Sequence, residues 1–412
     1  MAAPRRINQD DLRNHNLSVT LEALLCANKA MSRADLSKQV GLTKATMSLL
    51  ISLLIEHGIL QEGAPVVSTA YGRPSTPLTI RAGAVAGIGL QINTDGYGCL
   101  ALDLNGDTLG REWVSADMTR TDPYEVFAKL DAMTFPLESR LKHRGCRVAG
   151  AGLALPGIVT EDMRLLVARN LGWENVDLTR FNVVRRLDAV AGNEAQMAAI
   201  AQIPGYATER ADFLNVVDRT DSFIYLSTDI GIGGAVVRDG EVVPGSHGFA
   251  GEIGHMSVSL DGPLCNCGRH GCLETFAGRR ALVEAAGIAE GEAASDGAAI
   301  ETFLQRWRSG DPVAARVMDK AVDALVSAIA SAVNMVDVDT VLLGGLWSHF
   351  GEELGSVLAG RLRSEILGYP NVRIRVVVPP VAQHPSLYGA AETGLRRFID
   401  NPLHFLDAAT VK

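Results

Sequence analysis

Residues 251–274, GEIGHMSVSLDGPLCNCGRHGCLE, constrain this chain more than any other stretch. His255 is followed ten positions later by Cys265, then by Cys267 and Cys272. One imidazole and three thiolates within eighteen residues make the ligand set of a closed, tetrahedral structural zinc site. Gly268 and Gly271 stand between the last two thiols, where a tight loop must fold around a metal. Chance clustering and disulfide bonding are the competing readings. Cys265 and Cys267 are too close to pair comfortably, and the opening residues MAAPRRINQDDLRNHN hold no export signal. A site of this kind leaves no open coordination position, so the metal is expected to shape its surroundings rather than react. Two carboxylates, Glu252 and Glu274, flank it.

His255, Cys265-Asn-Cys267-Gly268 and Gly271-Cys272-Leu273-Glu274 resemble the zinc-and-sugar motif of the ROK family (repressors, open reading frames and sugar kinases). The resemblance runs from about Asn14 to Phe398. It implies an actin-like, ribonuclease H-like sugar kinase fold in two lobes, preceded in the repressor branch by a DNA-binding domain. It also implies that Glu252, His255 and Glu274 bind sugar hydroxyls. Carboxylates suit that task, because they accept two hydrogen bonds side by side, and a metal fixes the imidazole ring. Other residues must decide the branch.

The chain has 412 residues, 47% of them hydrophobic, enough to bury cores for two or three domains. No apolar run reaches the length of a membrane span, so a cytoplasmic protein is expected. Cys26, Cys99 and Cys146 sit in apolar surroundings and read as small core residues. The net charge of −9 is uneven: nine Lys/Arg face six Asp/Glu through Arg81, and twenty-nine face forty-one beyond it. A slightly basic head on an acidic body suits a nucleic-acid reader joined to a small-molecule domain, although charges of this size also simply solvate a surface.

The head reads as a helix-turn-helix. Residues 18–27 place Val19, Leu21, Leu24 and Leu25 at helical spacing. Ser32 with Asp35 opens a second helix over 32–40, and Gly41-Leu42 makes the turn. Thr43 caps a third helix over 44–57, with Met47, Leu50, Ile51, Leu54 and Ile55 on its apolar face. As a recognition helix it would offer Thr43, Lys44, Thr46 and Ser48 to DNA from its N-terminal end. Tyr71-Gly72-Arg73-Pro74 resembles the wing and linker of the family's repressors, and Arg73 in that narrow peptide is placed to enter a minor groove. The competing reading is a helical docking bundle.

In the family's kinases the first strand of the body ends in an Asp-x-Gly-Gly-Thr loop that wraps phosphate and orients magnesium. The matching residues are Gly89-Leu90-Gln91-Ile92-Asn93. The acid is gone, and two larger side chains replace the loop glycines. The kinases also begin a helix with Asn-Asp, whose Asp takes the proton of the attacked hydroxyl. Here Asn193-Glu194 stands instead, with one extra methylene. Glu194 keeps the ability to accept a sugar hydrogen bond, or serves only the helix dipole. Trp173, in Asn170-Leu171-Gly172-Trp173, resembles the loop facing the sugar and is expected to cover an apolar sugar face. Thr228-Asp229-Ile230-Gly231-Ile232-Gly233-Gly234 and Leu343-Gly344-Gly345 resemble the remaining nucleotide turns, read here as inherited scaffold.

An α/β protein is therefore expected. Residues 1–81 would form the winged helix-turn-helix with its linker, 82–195 the first lobe, 196–385 the second lobe with zinc and sugar sites, and 386–412 a C-terminal helix returning to the first lobe. The expected activity is sugar-responsive transcriptional repression with no catalytic residues. Its partners would be structural Zn2+, operator DNA, a sugar or sugar phosphate, and a second copy or two pairs of copies, with no membrane. The rival is an ATP-dependent hexose or N-acetylhexosamine kinase carrying an accessory DNA head. A third possibility is a body whose main partner is another protein.

Overall fold

The computed structural model describes residues 8–27, 29–64, 76–209, 216–228 and 230–407. They form two compact units: Met1–Gly192 with Ile203–Arg219 and Ser386–Lys412, and Asn193–Gln202 with Thr220–Pro385. No single helix among the described residues is long and apolar enough to cross a membrane.

The first unit opens with α1 (Gln9–Leu25). Its buried positions start only at Leu17, so apolar periodicity places its start far too late. The start is set instead by a capping box, in which Asn8 Oδ1 accepts from Asp11 N–H at 2.7 Å and Asp11 Oδ2 accepts from Asn8 N–H at 3.0 Å. Cys26 at its end is exposed, correcting the core assignment, whereas Cys99 and Cys146 are buried. After β1 (Met31–Ser32), α2 (Arg33–Val40) starts on the Ser32/Asp35 box and stops at Gly41, whose φ of 74° is open to glycine at no steric cost. The chain bends by 119° into α3 (Lys44–Glu56), capped by Thr43, the angle expected of a helix-turn-helix. β2 (Leu60–Glu62) and β3 (Pro77–Ile80) pair with β1 as a small antiparallel sheet in the order β1-β3-β2. Leu17, Leu21, Leu36, Met47, Ile51 and Leu54 fill the space beneath this winged arrangement.

The first lobe follows with β4 (Val85–Asn93), β5 (Gly96–Asp103), β6 (Thr108–Ser115), α4 (Pro123–His143) and β7 (Arg147–Leu155). A small sheet of β8 (Ile158–Val159), β9 (Arg164–Ala168) and β10 (Trp173–Asp177) leads to α5 (Asn182–Arg186) and β11 (Ala189–Asn193). The main sheet runs β11-β7-β4-β5-β6. β4 is buried at every position, as a central strand covered on both faces must be.

The second unit begins with α6 (Glu194–Ile200) and repeats that sheet plan. β12 (Phe223–Thr228), β13 (Ile232–Arg238) and β14 (Glu241–Val242) form the antiparallel run, and β15 (Thr340–Gly345) and β16 (Arg375–Val377) add in parallel, giving β14-β13-β12-β15-β16. Its helices are α7 (Glu274–Ala277), α8 (Arg279–Ala285), α9 (Gly297–Arg308), α10 (Pro312–Val336) and α11 (Gly351–Leu362). Residues of α10 such as Ala321, Leu325 and Ile329 are wholly buried against Val341 and Ile224 of the sheet. The repeated strand order in the two units is that of an actin-like fold.

The chain then returns to the first unit as α12 (Pro385–Asp400) and α13 (Pro402–Asp407). α12 lies directly on β4: a Cβ at Gly89 would stand 2.1 Å from the Leu387 carbonyl oxygen, and one at Gly87 the same distance from that of Ala391. α1 is fastened to these helices rather than standing apart. The Asn14 side chain donates to Asp400 O at 3.1 Å and accepts from Leu403 N–H at 3.0 Å, while Glu22 pairs with Arg396.

Candidate functional site

The zinc motif folds onto itself in the second unit. Isolated bridges pair Ser257 with Cys272 and Leu264 with His270, closing the loop. Gly271, at φ 67°, lets the return strand pass, since any Cβ there would lie 1.6 Å from Ser259 O. The ligand atoms of His255, Cys265, Cys267 and Cys272 all lie within 4.8 Å of one another. Cys267 Sγ stands 3.6 Å from Cys272 Sγ, and Cys265 Sγ 3.7 Å from His255 Nδ1. Tetrahedral ligands on bonds of about 2.3 Å would have their sulfurs roughly 3.8 Å apart, so the cluster has the size of a zinc site. With Nδ1 facing the sulfurs, His255 Nε2 faces outward and comes to 4.0 Å from Glu252 Oε2.

Four of the carboxylate, amide and imidazole groups singled out in the sequence share this unit with His255. Asn193 caps α6, its Oδ1 accepting from Ala195 N–H at 2.8 Å and Gln196 N–H at 3.4 Å, which sets Glu194 as the first residue of the helix. Glu252 is half-buried. Burial pushes its carboxyl above the ordinary carboxylate range, with His255 opposing and Glu274 adding to the rise. Glu274 opens α7, and its Oε2 accepts from Ile232 N–H at 3.2 Å. A Cβ on Gly231 would stand 2.3 Å from the same oxygen, so a side chain there would push the tip of the carboxylate aside.

Trp173 is a different matter. It is 2% exposed in the core of the first unit, beside Phe127 at 6.0 Å between ring centroids. Its indole N–H donates to Thr121 O at 2.6 Å. A ring packed and satisfied on both accounts cannot lie over a sugar, and the expectation from sequence is corrected.

The first hairpin of that unit carries no phosphate-wrapping turn. Gln91, Ile92 and Asn93 remain in the ladder opposite Gly98, Tyr97 and Gly96. Asn93 Oδ1 takes the Asp95 N–H at 3.0 Å, the group nearest the tip. Gln91 is 4% exposed, its side chain filling a position where the kinase loop has glycine. In the head, Thr43, Lys44 and Ser48 are exposed and Thr46 is half-buried. Thr43 and Thr46 are hydrogen-bonded to each other at 2.9 Å as part of the α3 cap. The outward face of α3 also carries Ala45, Leu49 and Ser52, which sequence reading did not single out; Leu49 is 73% exposed. Its signal is that it falls off the 47/50/51/54 stripe. Arg73 lies outside the described residues.

The ROK family model matches residues 88–395. The xylose repressor of Caldicellulosiruptor bescii is 28% identical over 396 residues, covering 88% of this chain and 93% of the repressor. The N-acetylmannosamine kinase of Escherichia coli O9:H4 (strain HS) is 32% identical over 264 residues, covering 60% of this chain and 82% of the kinase. Among solved structures, a ROK family transcriptional regulator, a homologue of the E. coli MLC protein, superposes with a TM-score of 0.75 at 22% identity, over 96% of this chain and 98% of that one.

Proposed function

The chain belongs to the ROK family, and we propose that within it this protein is a sugar-responsive, DNA-binding transcriptional repressor whose kinase-like body senses its effector without transferring phosphate. The observation that carries this reading is the pairing of a winged head, exposed along α3, with a first hairpin in which Gln91, Ile92 and Asn93 stay in the ladder and Asn93 takes the Asp95 N–H. The reach of the repressor match agrees, since it extends beyond the body that the kinase match covers.

In this reading zinc is held by His255, Cys265, Cys267 and Cys272 and orders the loop. Glu252, Glu274 and the outward face of His255 hold sugar hydroxyls, with Asn193 and Glu194 nearby on the start of α6. Thr43 and Thr46 fix the start of α3, while Lys44 and Ser48, together with Arg73, meet operator DNA. Two copies would bind two half-sites, as homodimer or paired dimers, and sugar would shift the population of a conformation that fits both. A cytoplasmic location follows from such a role.

The rival reading, a hexose or N-acetylhexosamine kinase with a DNA head, draws on the glycine turns at Gly231–Gly234 and Gly344-Gly345. One experiment separates the two. A sugar library is screened by thermal shift on the full chain, and each binding sugar is then assayed both for ADP formation and for its effect on binding to DNA from the protein's own upstream region. Sugar-dependent DNA binding without ADP supports the repressor; ADP formation without DNA binding overturns it.

A further inference from the structure

At the end of the second unit remote from the carboxylate cluster, the segment between α11 and β16 encloses a cavity of about 400 Å³. Its floor is apolar, made by Leu362, Ile366, Val372 and Ile374. Leu362 is fully buried and Ile366 is 8% exposed, so this floor is part of the folded core and not a loose edge. Arg363, Arg373 and Arg375 also line it and are exposed, as is Tyr369, which puts these four toward its mouth. Among the described residues no carboxylate lines the cavity.

That charge distribution is unusual for this chain, whose body carries an excess of acids. Arg361, on α11 two residues before Arg363, does find an acid, Asp323. Arg375 is partly engaged, donating to Thr340 Oγ1 at 3.3 Å. Arg363 and Arg373 are exposed and form no ion pair among the described residues. Three cations around an apolar hollow leave the floor suited to a hydrocarbon body and the mouth suited to an anion. Guanidinium groups bind carboxylate, sulfonate and phosphate oxygens through paired N–H donors, and the volume falls in the ordinary range for small-molecule sites.

The hollow is separate from the sugar cluster. Arg375 pairs in register with Thr340 at the start of β15, whereas Gly345 at its other end pairs with Thr228 beside the Ile230–Gly234 turn. At the rise of a strand these ends are roughly 17 Å apart.

We propose that this hollow is a second small-molecule site, which takes an organic anion with an apolar body, such as an aryl or acyl carboxylate or sulfonate. The apolar part lies on Leu362, Ile366 and Ile374, and the anionic head is held by Arg363 and Arg373. Binding here uses neither the zinc loop nor the head, so it stands or falls independently of the sugar-repressor reading.

The test uses the full-length, zinc-loaded chain and the fluorescent anion 8-anilinonaphthalene-1-sulfonate. Titration is expected to show one saturable site per chain. The double variant Arg363→Ala/Arg373→Ala is expected to weaken that site by about tenfold or more. N-phenyl-1-naphthylamine, which keeps the rings and lacks the charge, is expected to bind the parent at least about tenfold more weakly. Both arginines are exposed, and an unchanged melting temperature would show that the double variant is folded; if it is not, Arg363→Gln alone takes its place. Absence of a saturable site, equal affinity in the folded variant, or equal affinity for the neutral probe would each overturn the proposal.

Discussion

Glu274 accepts the backbone N–H of Ile232 at 3.2 Å, so a residue two positions beyond Cys272, the last member of the His/Cys cluster, holds the glycine turn that follows β12. One carboxylate thereby ties the metal loop to the sheet. Only part of its hydrogen-bonding capacity is used by that contact, because an ionised carboxylate offers about four lone-pair sites. The remainder is available to hydroxyls. Glu274→Ala is therefore expected to weaken sugar binding by about tenfold to a hundredfold, the loss typical of a hydrogen bond to a charged group. Zinc content should not change, since Glu274 supplies no ligand atom to the cluster. Calorimetry with the sugar giving the largest thermal shift measures the first effect; unchanged affinity would remove Glu274 from the site.

Zinc removal should act on fold and ligand together. Cys265 and Cys272 are buried, and without the ion their thiols and His255 are left in a short loop held by backbone contacts such as Val258 N–H to Gly271 O and Cys265 N–H to Arg269 O. About one zinc per chain is expected by elemental analysis. A chelator, or Cys267→Ser, should lower the melting temperature and abolish sugar binding in step, because His255 and Glu274 lie on the same segment. Metal-free native protein with full sugar affinity would contradict this.

Local signals in the sequence carried much of the head and the metal loop. Ser32/Asp35 and Thr43 mark helix starts within a few residues, and the cysteine spacing needs no distant partner to be read. What escaped the sequence is non-local. Asn14 finds its partners 386 and 389 residues away in Asp400 and Leu403, whereas the Asn8/Asp11 box that starts α1 is a local signal hidden only by the lack of an apolar stripe before Leu17. Trp173 beside a glycine looks like a ligand face until Thr121 and Phe127 are brought onto it. Gly89 reads as a lost acid; the structure adds that α12 lies where any side chain would go.

The α2 capping box predicts a pH-dependent increment of stability. Hydrogen bonds from the Ser32 hydroxyl, at 2.7 Å, and from its N–H, at 2.9 Å, hold the Asp35 carboxyl below its ordinary value of 3.8. The folded value is depressed, so the stabilisation is complete above the unfolded value and fades as pH falls through the folded one. Ser32→Ala should cost about 1 kcal/mol at pH 6 and less near pH 3. Denaturant melts of parent and variant at both pH values test this, because other titrating groups cancel in the difference. An equal gap at both would show that the box contributes no charge-dependent term.

Lys44 is exposed at the start of α3, and in the proposed DNA-binding role its charge suits a phosphate contact rather than a base edge. Lys44→Ala should weaken operator binding uniformly across sequences and reduce the salt slope, log K against log [salt], by about one. Arg73→Ala should weaken binding most at sites with a narrow, A/T-rich minor groove. Sugar affinity should be untouched by either. Full operator affinity in the double variant, measured over a range of salt, would mean that the head meets DNA by another face.

The protein should bind sugar and form no ADP. Phosphoryl transfer depends on positioning and charge stabilisation, and two of its parts are altered here. At the first hairpin, Gln91 and Ile92 stand in the ladder, Asn93 occupies the Asp95 N–H, and α12 approaches Gly89 too closely for an acid to be added back. At the start of α6, Glu194 extends one methylene beyond the family's Asp, a displacement that general-base catalysis tolerates poorly, at a loss on the order of a hundredfold. Binding asks less of the same residues, since Glu252, His255 and Glu274 need only hold hydroxyls. Calorimetric sugar binding with no detectable ADP is therefore the expected pair of results. Turnover of even about one per second, abolished by Glu194→Gln, would make the protein a working kinase and overturn the sensor reading of its body.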